Sequence, residues 1–205
     1  MDLTAAAITL SILIFSAILH EVAHGFVAYR LGDPTAKIMG RLTLNPISHI
    51  DPVMSILLPL MLILSGSPVI FGAAKPVPVD PFNLREGRKD MALVALAGPL
   101  TNILLAILAS ILLNLSGQTA LAPLFYVMGT INLLLAIFNL LPIPPLDGSK
   151  VFSLILPEKE ANAYLSLGSI GMFMIFFLLL FPIGGFSLGN FIFSLLNSAQ
   201  QLIGI

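Results

Sequence analysis

The sequence predicts an all-α polytopic membrane protein, with about five to six transmembrane helices of the length a bilayer requires. A re-entrant or short β-like membrane-associated segment is predicted between the first helix and the helix that carries Ala97-Gly98-Pro99. Three observations lead there. Of 205 residues, 58% are hydrophobic and only 9% charged, with a mean hydropathy of +1.04, whereas about a quarter of the residues in a soluble domain are charged. Several uncharged runs are long enough to cross a hydrocarbon core of about 30 Å at about 1.5 Å per residue. Finally, all nine Lys and Arg residues fall into three clusters between those runs.

In residues 3–29 the strongly polar side chains are His20, Glu21 and His24. A cleaved secretory leader is not expected, because only Asp2 precedes the run in place of a basic region and no small-residue cleavage site follows. Residues 91–146 carry no charge and suit two helices, at 91–115 and 120–141, joined by a turn at Ser116-Gly117-Gln118-Thr119. Residues 161–205 carry none either and divide near Pro182-Ile183-Gly184-Gly185 into a C-terminal helical hairpin. Residues 52–71 are apolar, but Pro59 interrupts them and Ser65-Gly66-Ser67-Pro68 follows.

The basic clusters are Arg30, Lys37 and Arg41; Lys75, Arg85, Arg88 and Lys89; and Lys150 and Lys159. The positive-inside tendency places all three on the cytoplasmic face, so residues 52–71 must return to the side they leave. No internal repeat or soluble module interrupts the chain, and one domain over residues 1–205 is expected. The net charge of −1 offers no surface for nucleic acid. Without cysteine, a metal could be held only by nitrogen and oxygen.

In His20-Glu21-Val22-Ala23-His24, the histidines are four residues apart and share one helix face, the spacing two ligands of one tetrahedral ion require. Glu21 beside them could accept a proton from water activated at that ion. Ionisable groups at membrane depth cost on the order of several kcal/mol, and a divalent cation would offset that. A hydrolytic zinc site usually has three protein ligands. Asp147, after an apolar run and three prolines, is the candidate for the third; His49, Asp51, Asp80, Glu86 and Asp90 are rivals. Topology favours Asp147, because the helices at 91–115 and 120–141 return the chain to the face where the first helix ends.

These residues belong to a longer series. His20-Glu21-Val22-Ala23-His24, Gly40-Arg41-Leu42-Thr43-Leu44-Asn45-Pro46, His49-Ile50-Asp51-Pro52, Lys75-Pro76-Val77-Pro78-Val79, Ala97-Gly98-Pro99 with Asn102, and Leu146-Asp147-Gly148 follow in order. Together they resemble the site-2 protease family of intramembrane zinc metalloproteases, in a compact form without a PDZ domain. The resemblance implies one Zn2+ per chain held by His20, His24 and Asp147, Glu21 as the catalytic carboxylate, and cleavage of a membrane-spanning protein substrate within the bilayer. It further implies a catalytic core over about residues 1–150. Asn102 resembles a family asparagine that could hold the substrate or a developing oxyanion, with an interhelical hydrogen bond as the alternative. His49 and Asn139 are candidates to support the site, although Asn139 lies upstream of the place where the family often has Asn-Pro-Asp-Gly.

Residues 75–81 are too rich in proline for a central strand but suit an edge, where Lys75, Val77 and Val79 could pair with an unwound substrate. Two further function classes use the same residues: a divalent-metal transporter, and an inert membrane protein with an unused motif. Transport is disfavoured because the helices after residue 90 offer little polarity beyond Asn102, Asn114, Asn132 and Asn139. The expected location is a prokaryotic cell (inner) membrane, with the site toward the cytoplasm and the lipid bilayer as partner.

Overall fold

The computed structural model describes residues 3–52, 57, 61, 64, 75–117 and 119–205. The expected re-entrant stretch therefore lies largely outside the described residues. Helix α1 runs Leu3–Arg30, a length of 28 residues, or about 42 Å. A short α2, Thr35–Ile38, and a 3-10 turn at Pro46–His49 follow. Past a second 3-10 turn at Pro81–Asn83 come α3, Arg88–Ser116, and α4, Ala122–Asn139. The remainder consists of α5, Asp147–Phe152, a 3-10 turn at Ser153–Ile155, α6, Glu158–Leu165, α7, Gly168–Leu180, and α8, Leu188–Ile203.

Among the described residues the protein is helical, with one isolated bridge between Ile183 and Phe186 where the C-terminal hairpin turns. Three helices, α1, α3 and α4, are long and apolar enough to cross a membrane. The C-terminal region departs from two full spans. Its first limb is bent by 63° between α6 and α7, and α7 and α8 have only 13 and 16 residues, short of the roughly 20 that a straight crossing needs. Counting the bent pair as one crossing gives four.

Helix α3 is the centre of the bundle and packs against α1, α4 and α5. Its inward face carries Ala92, Ala95, Gly98, Ala106 and Ala109, all buried. Small side chains let helix backbones approach closely where lipid removes the usual hydrophobic drive for association. The outward face presents Leu100, Leu104, Leu108, Ile111 and Leu115, as expected of an integral membrane protein whose outer surface meets acyl chains. Gly117, at φ +57°, ends the helix in a backbone conformation that side chains resist.

Two local devices position the segments around α1. Gly25 gives residues 75–80 their seat: a Cβ there would meet Leu42 Cδ2 and Val77 Cγ1 at 2.7 Å. That segment forms no ladder among the described residues, so the expected β-like edge is an extended strap rather than a strand of a sheet. Asp33, fully buried, fastens the strap by accepting hydrogen bonds from the Thr35 N–H and hydroxyl, the Asp80 N–H at 2.7 Å and the Asn83 amide at 3.0 Å. Burial alone would raise the pKa of this carboxyl. The Thr35 hydroxyl, the Asp80 N–H, the Asn83 amide and the Thr35 N–H outweigh that and hold it below the usual carboxylate value.

The C-terminal hairpin packs on the chain between α4 and α5. Leu141 and Leu146 from that connection form one buried cluster with Ile175 of α7 and with Leu188 and Ile192 of α8. At Gly171 the backbone of α7 lies so close to the Pro144 carbonyl that no side chain would fit. The hairpin thus braces the loop that delivers Asp147.

Removing the Asp33 fastening should be measurable. Asp33→Ala is expected to lower thermal stability in detergent by about 1–3 kcal/mol, the cost of leaving buried donors unpaired. Because the folded-state pKa is depressed, this contribution is present above the ordinary carboxylate value and fades as pH falls through the lower folded value. The acid limb of a thermal-midpoint profile should therefore be flatter in Asp33→Ala than in the parent protein.

Candidate metal centre

Four residues of an α-helix make slightly more than one turn, so α1 stacks the His20 and His24 rings on one face. They meet edge to face, with centroids 4.5 Å apart. His20 Nδ1 lies 2.6 Å from Asn102 Oδ1 and His24 Nδ1 lies 2.7 Å from the Val94 carbonyl oxygen. Both partners are acceptors, which assigns the proton of each neutral imidazole to Nδ1. Each Nε2 then carries a lone pair, and the two Nε2 atoms are 3.0 Å apart. Asp147 Oδ2 lies 3.2 Å from both.

Three buried electron-pair donors turned toward one point repel one another unless a cation lies between them. Tetrahedral zinc with bonds of about 2.0–2.2 Å separates its ligand atoms by about 3.3–3.6 Å, slightly wider than the spacing here. The donor set therefore fits zinc. Among the described residues, this is the group of His, Asp and Glu side chains placed to hold a metal ion.

Neighbouring backbone shapes the pocket. A Cβ on Gly98 would lie 2.5 Å from His20 Cε1 and from His24 Nε2, so α3 can pass the two rings only as glycine. Pro99 cannot donate to the carbonyl four residues earlier, and its ring loosens that turn of α3. The loosened turn includes Val94, whose carbonyl accepts from His24. A polar relay continues behind His20: the Asn102 amide donates to Asn132 Oδ1 at 2.9 Å, and Asn132 donates to Ser16 Oγ at 2.9 Å. These bonds join α1, α3 and α4 where apolar contacts alone would leave the rings free to turn.

Asp147 arrives by a different route. Pro142, Pro144 and Pro145 prevent α4 from continuing, and Asp147 opens α5. Gly148 lies too close to the Leu140 carbonyl to carry a side chain. Lys150, one turn further on, holds the second carboxylate oxygen, Oδ1, at 3.0 Å.

Glu21 is half-buried, and its Oε2 accepts the Val77 N–H at 2.7 Å. The strap is held from its other side too: Lys75 N–H donates to the His49 carbonyl at 2.9 Å, and Arg41 Nη2 donates to the Lys75 carbonyl at 2.7 Å. The other candidates do not join the three donors. Asn102 is fully buried, with its amide engaged by His20 and Asn132, which is the interhelical alternative. His49 pairs through Nε2 with the Thr43 carbonyl, and Asn139 donates to the Leu135 carbonyl of its own helix. Neither is brought to the three donors, because each finds a partner within its own stretch of chain. Asp80 and Asp90 accept from nearby backbone N–H groups, and Glu86 pairs with Lys89 on the surface.

Gly98, Val94, Asn132, Ser16 and Lys150 contribute without having been singled out from sequence as site residues. Ser16 and Lys150 carried a usable signal, standing four residues before His20 and three after Asp147.

Two imidazoles on a helix long and apolar enough to cross a membrane, a carboxylate brought to them by α5, and Glu21 next to His20 in sequence define a metallohydrolase of the integral-membrane class. Comparison with known proteins makes that class specific. The pattern of peptidase family M50 matches residues 114–182. Relatives described as "Putative zinc metalloprotease" include the following two. YwhC of Bacillus subtilis is 36% identical over 201 residues, covering 93% of this chain and 86% of its own. Rip2 of Mycobacterium tuberculosis is 34% identical over 167 residues, covering 80% of this chain and 62% of its own. Zinc metalloprotease MJ0392 of Methanocaldococcus jannaschii is 26% identical over 158 residues, covering 75% of this chain and 35% of its own. No solved structure gives a significant match to the chain. The chain belongs to peptidase family M50, the site-2 protease family, and is a zinc metalloprotease.

The close passage of Gly98 makes a sharp prediction. Gly98→Ala should reduce zinc affinity by at least about tenfold, the lower end for a disturbed ligand environment. Metal content after dialysis against a graded chelator series checks it.

Proposed function

We propose that this metalloprotease cuts transmembrane segments of protein substrates within the bilayer, with Glu21 as general base and then general acid. The observation that carries the proposal is the burial of all three metal-binding side chains, two on a helix long and apolar enough to span a membrane and the third brought to them by the proline loop. His20, His24 and Asp147 would hold zinc. Bound zinc supplies Lewis acidity toward the scissile carbonyl and the attacking water. Glu21 takes the proton from that water and returns it to the departing amine. The Val77 N–H orients the Glu21 carboxylate for this transfer. Asn102 enters the scheme through His20, whose ring it holds in the tautomer that frees Nε2.

The strap gives an extended substrate a place to lie. Pro76 and Pro78 have no N–H, while the Val77 carbonyl and the Val79 N–H have no hydrogen-bond partner among the described residues. A substrate unwound from its helix could pair with these two groups and present its backbone beside Glu21. In this reading the chain makes about five to six crossings of helical length, with residues 52–71 returning to their starting side. The three basic clusters then face the cytoplasm of a prokaryotic cell, and the site opens toward that side.

Two experiments test this. Glu21→Gln should lower the cleavage rate by about 10²–10⁴-fold, the range for a lost general acid–base, with zinc still stoichiometric. The assay is turnover of a single-span substrate in proteoliposomes, with product termini mapped by mass spectrometry; undiminished cleavage, or termini only outside the span, overturns the reading. Val79→Pro should slow the same cleavage by about tenfold, the loss of roughly one net hydrogen bond, without changing zinc content.

A further inference from the structure

Lys150 stands out among the basic residues. It falls in a cluster that helps to set topology, yet its ammonium is turned to a buried carboxylate rather than to solvent. Lys150 Nζ lies 3.0 Å from Asp147 Oδ1, with the Lys150 side chain 34% exposed and that of Asp147 9% exposed. By contrast, Lys89 and Glu86 pair at 3.4 Å with both side chains largely in solvent, a contact that contributes little. A charge pair with one member buried is far more constrained, because the carboxylate cannot turn to water if the lysine is lost.

The two oxygens of Asp147 have different surroundings. Oδ2 lies 3.2 Å from both histidine Nε2 atoms, whereas Oδ1 is claimed by Lys150. A carboxylate with a free second oxygen can rotate and bind a metal ion through both, so that a site with water in its fourth position becomes five-coordinate. The spacing that prevents this is local: Asp147 is in the first turn of α5 and Lys150 in the last, and three residues place them on one face.

We infer that Lys150 is a positioning residue that ties back Oδ1, so that Asp147 binds zinc through Oδ2 alone and one coordination position stays open. The inference rests on Asp147 being a zinc ligand. Lys150→Met removes the ammonium and keeps an unbranched stem; Lys150→Arg keeps a charge that can still reach Oδ1; Asp147→Asn tests the ligand itself. Each is purified in detergent, titrated with zinc against a chelator, and loaded with Co2+ so that its visible spectrum distinguishes four-coordinate from five-coordinate metal.

Lys150→Met should weaken zinc binding by about 10–100-fold, the usual cost of losing a partner to a metal ligand, and shift the Co2+ spectrum toward the weaker five-coordinate form. Lys150→Arg should keep the parent spectrum. Lys150→Gln, which retains a neutral donor, replaces the Met variant if that one does not fold, and should fall between the parent and Lys150→Met in affinity. Parent affinity and spectrum in the charge-removed variant, with Asp147→Asn unable to bind zinc, overturn the role of Lys150 alone. Full zinc affinity in Asp147→Asn overturns the ligand assignment beneath it.

Discussion

Three electron-pair donors, forced to face one another inside a largely apolar bundle, are the constraint around which the protein is arranged. His20 Nε2, His24 Nε2 and Asp147 Oδ2 lie 3.0–3.2 Å apart, close enough that their mutual repulsion must be answered by positive charge. The dipoles of the surrounding leucines and alanines are too weak to answer it. Two polar groups act on the outer side of the rings: Asn102 and the Val94 carbonyl occupy the Nδ1 atoms, leaving the inner nitrogens no proton of their own. Hydrogen bonding outside creates the demand for a cation inside.

The same constraint explains why residues with little chemistry recur around the centre. Gly98 allows α3 to pass the imidazoles, Pro99 loosens the turn that offers Val94, and Gly148 lets Asp147 follow Leu140 closely. Gly25 does the same for the strap that reaches Glu21. Each removes volume or a hydrogen bond from a helix that would otherwise be regular. Each therefore weakens local structure, and the packing of α1, α3, α4 and the hairpin compensates.

Much of the centre was legible in the sequence, because its residues violate the local rule. His20, Glu21 and His24 are conspicuous in an apolar helix, and Asp147 follows a run that three prolines prevent from being helical. The helices expected at 91–115 and 120–141 were equally visible, as uncharged lengths parted by Ser116-Gly117-Gln118-Thr119, and the structure gives them as Arg88–Ser116 and Ala122–Asn139. Asn139 stands out in an apolar helix, where its amide is satisfied by a carbonyl one turn back. His49 Nε2 meets the Thr43 carbonyl, and the His49 carbonyl holds Lys75 of the strap. The bend after Leu165 and the bracing role of α7 and α8 were hidden, since leucine and isoleucine say that a surface is buried without saying against what. Asp33 was hidden because an aspartate before proline in a loop is ordinary until its four donors are seen together.

The bracing of the proline loop by α7 and α8 has a consequence for the order of events during synthesis. The two imidazoles enter the membrane with the first helix, but the loop bearing the carboxylate gains its apolar support only when Ile175, Leu188 and Ile192 have been made. Until then the nascent chain has two nitrogens and an unanchored oxygen donor. The metal centre is thus completed only after the C-terminal hairpin has been made, from parts well separated along the polypeptide.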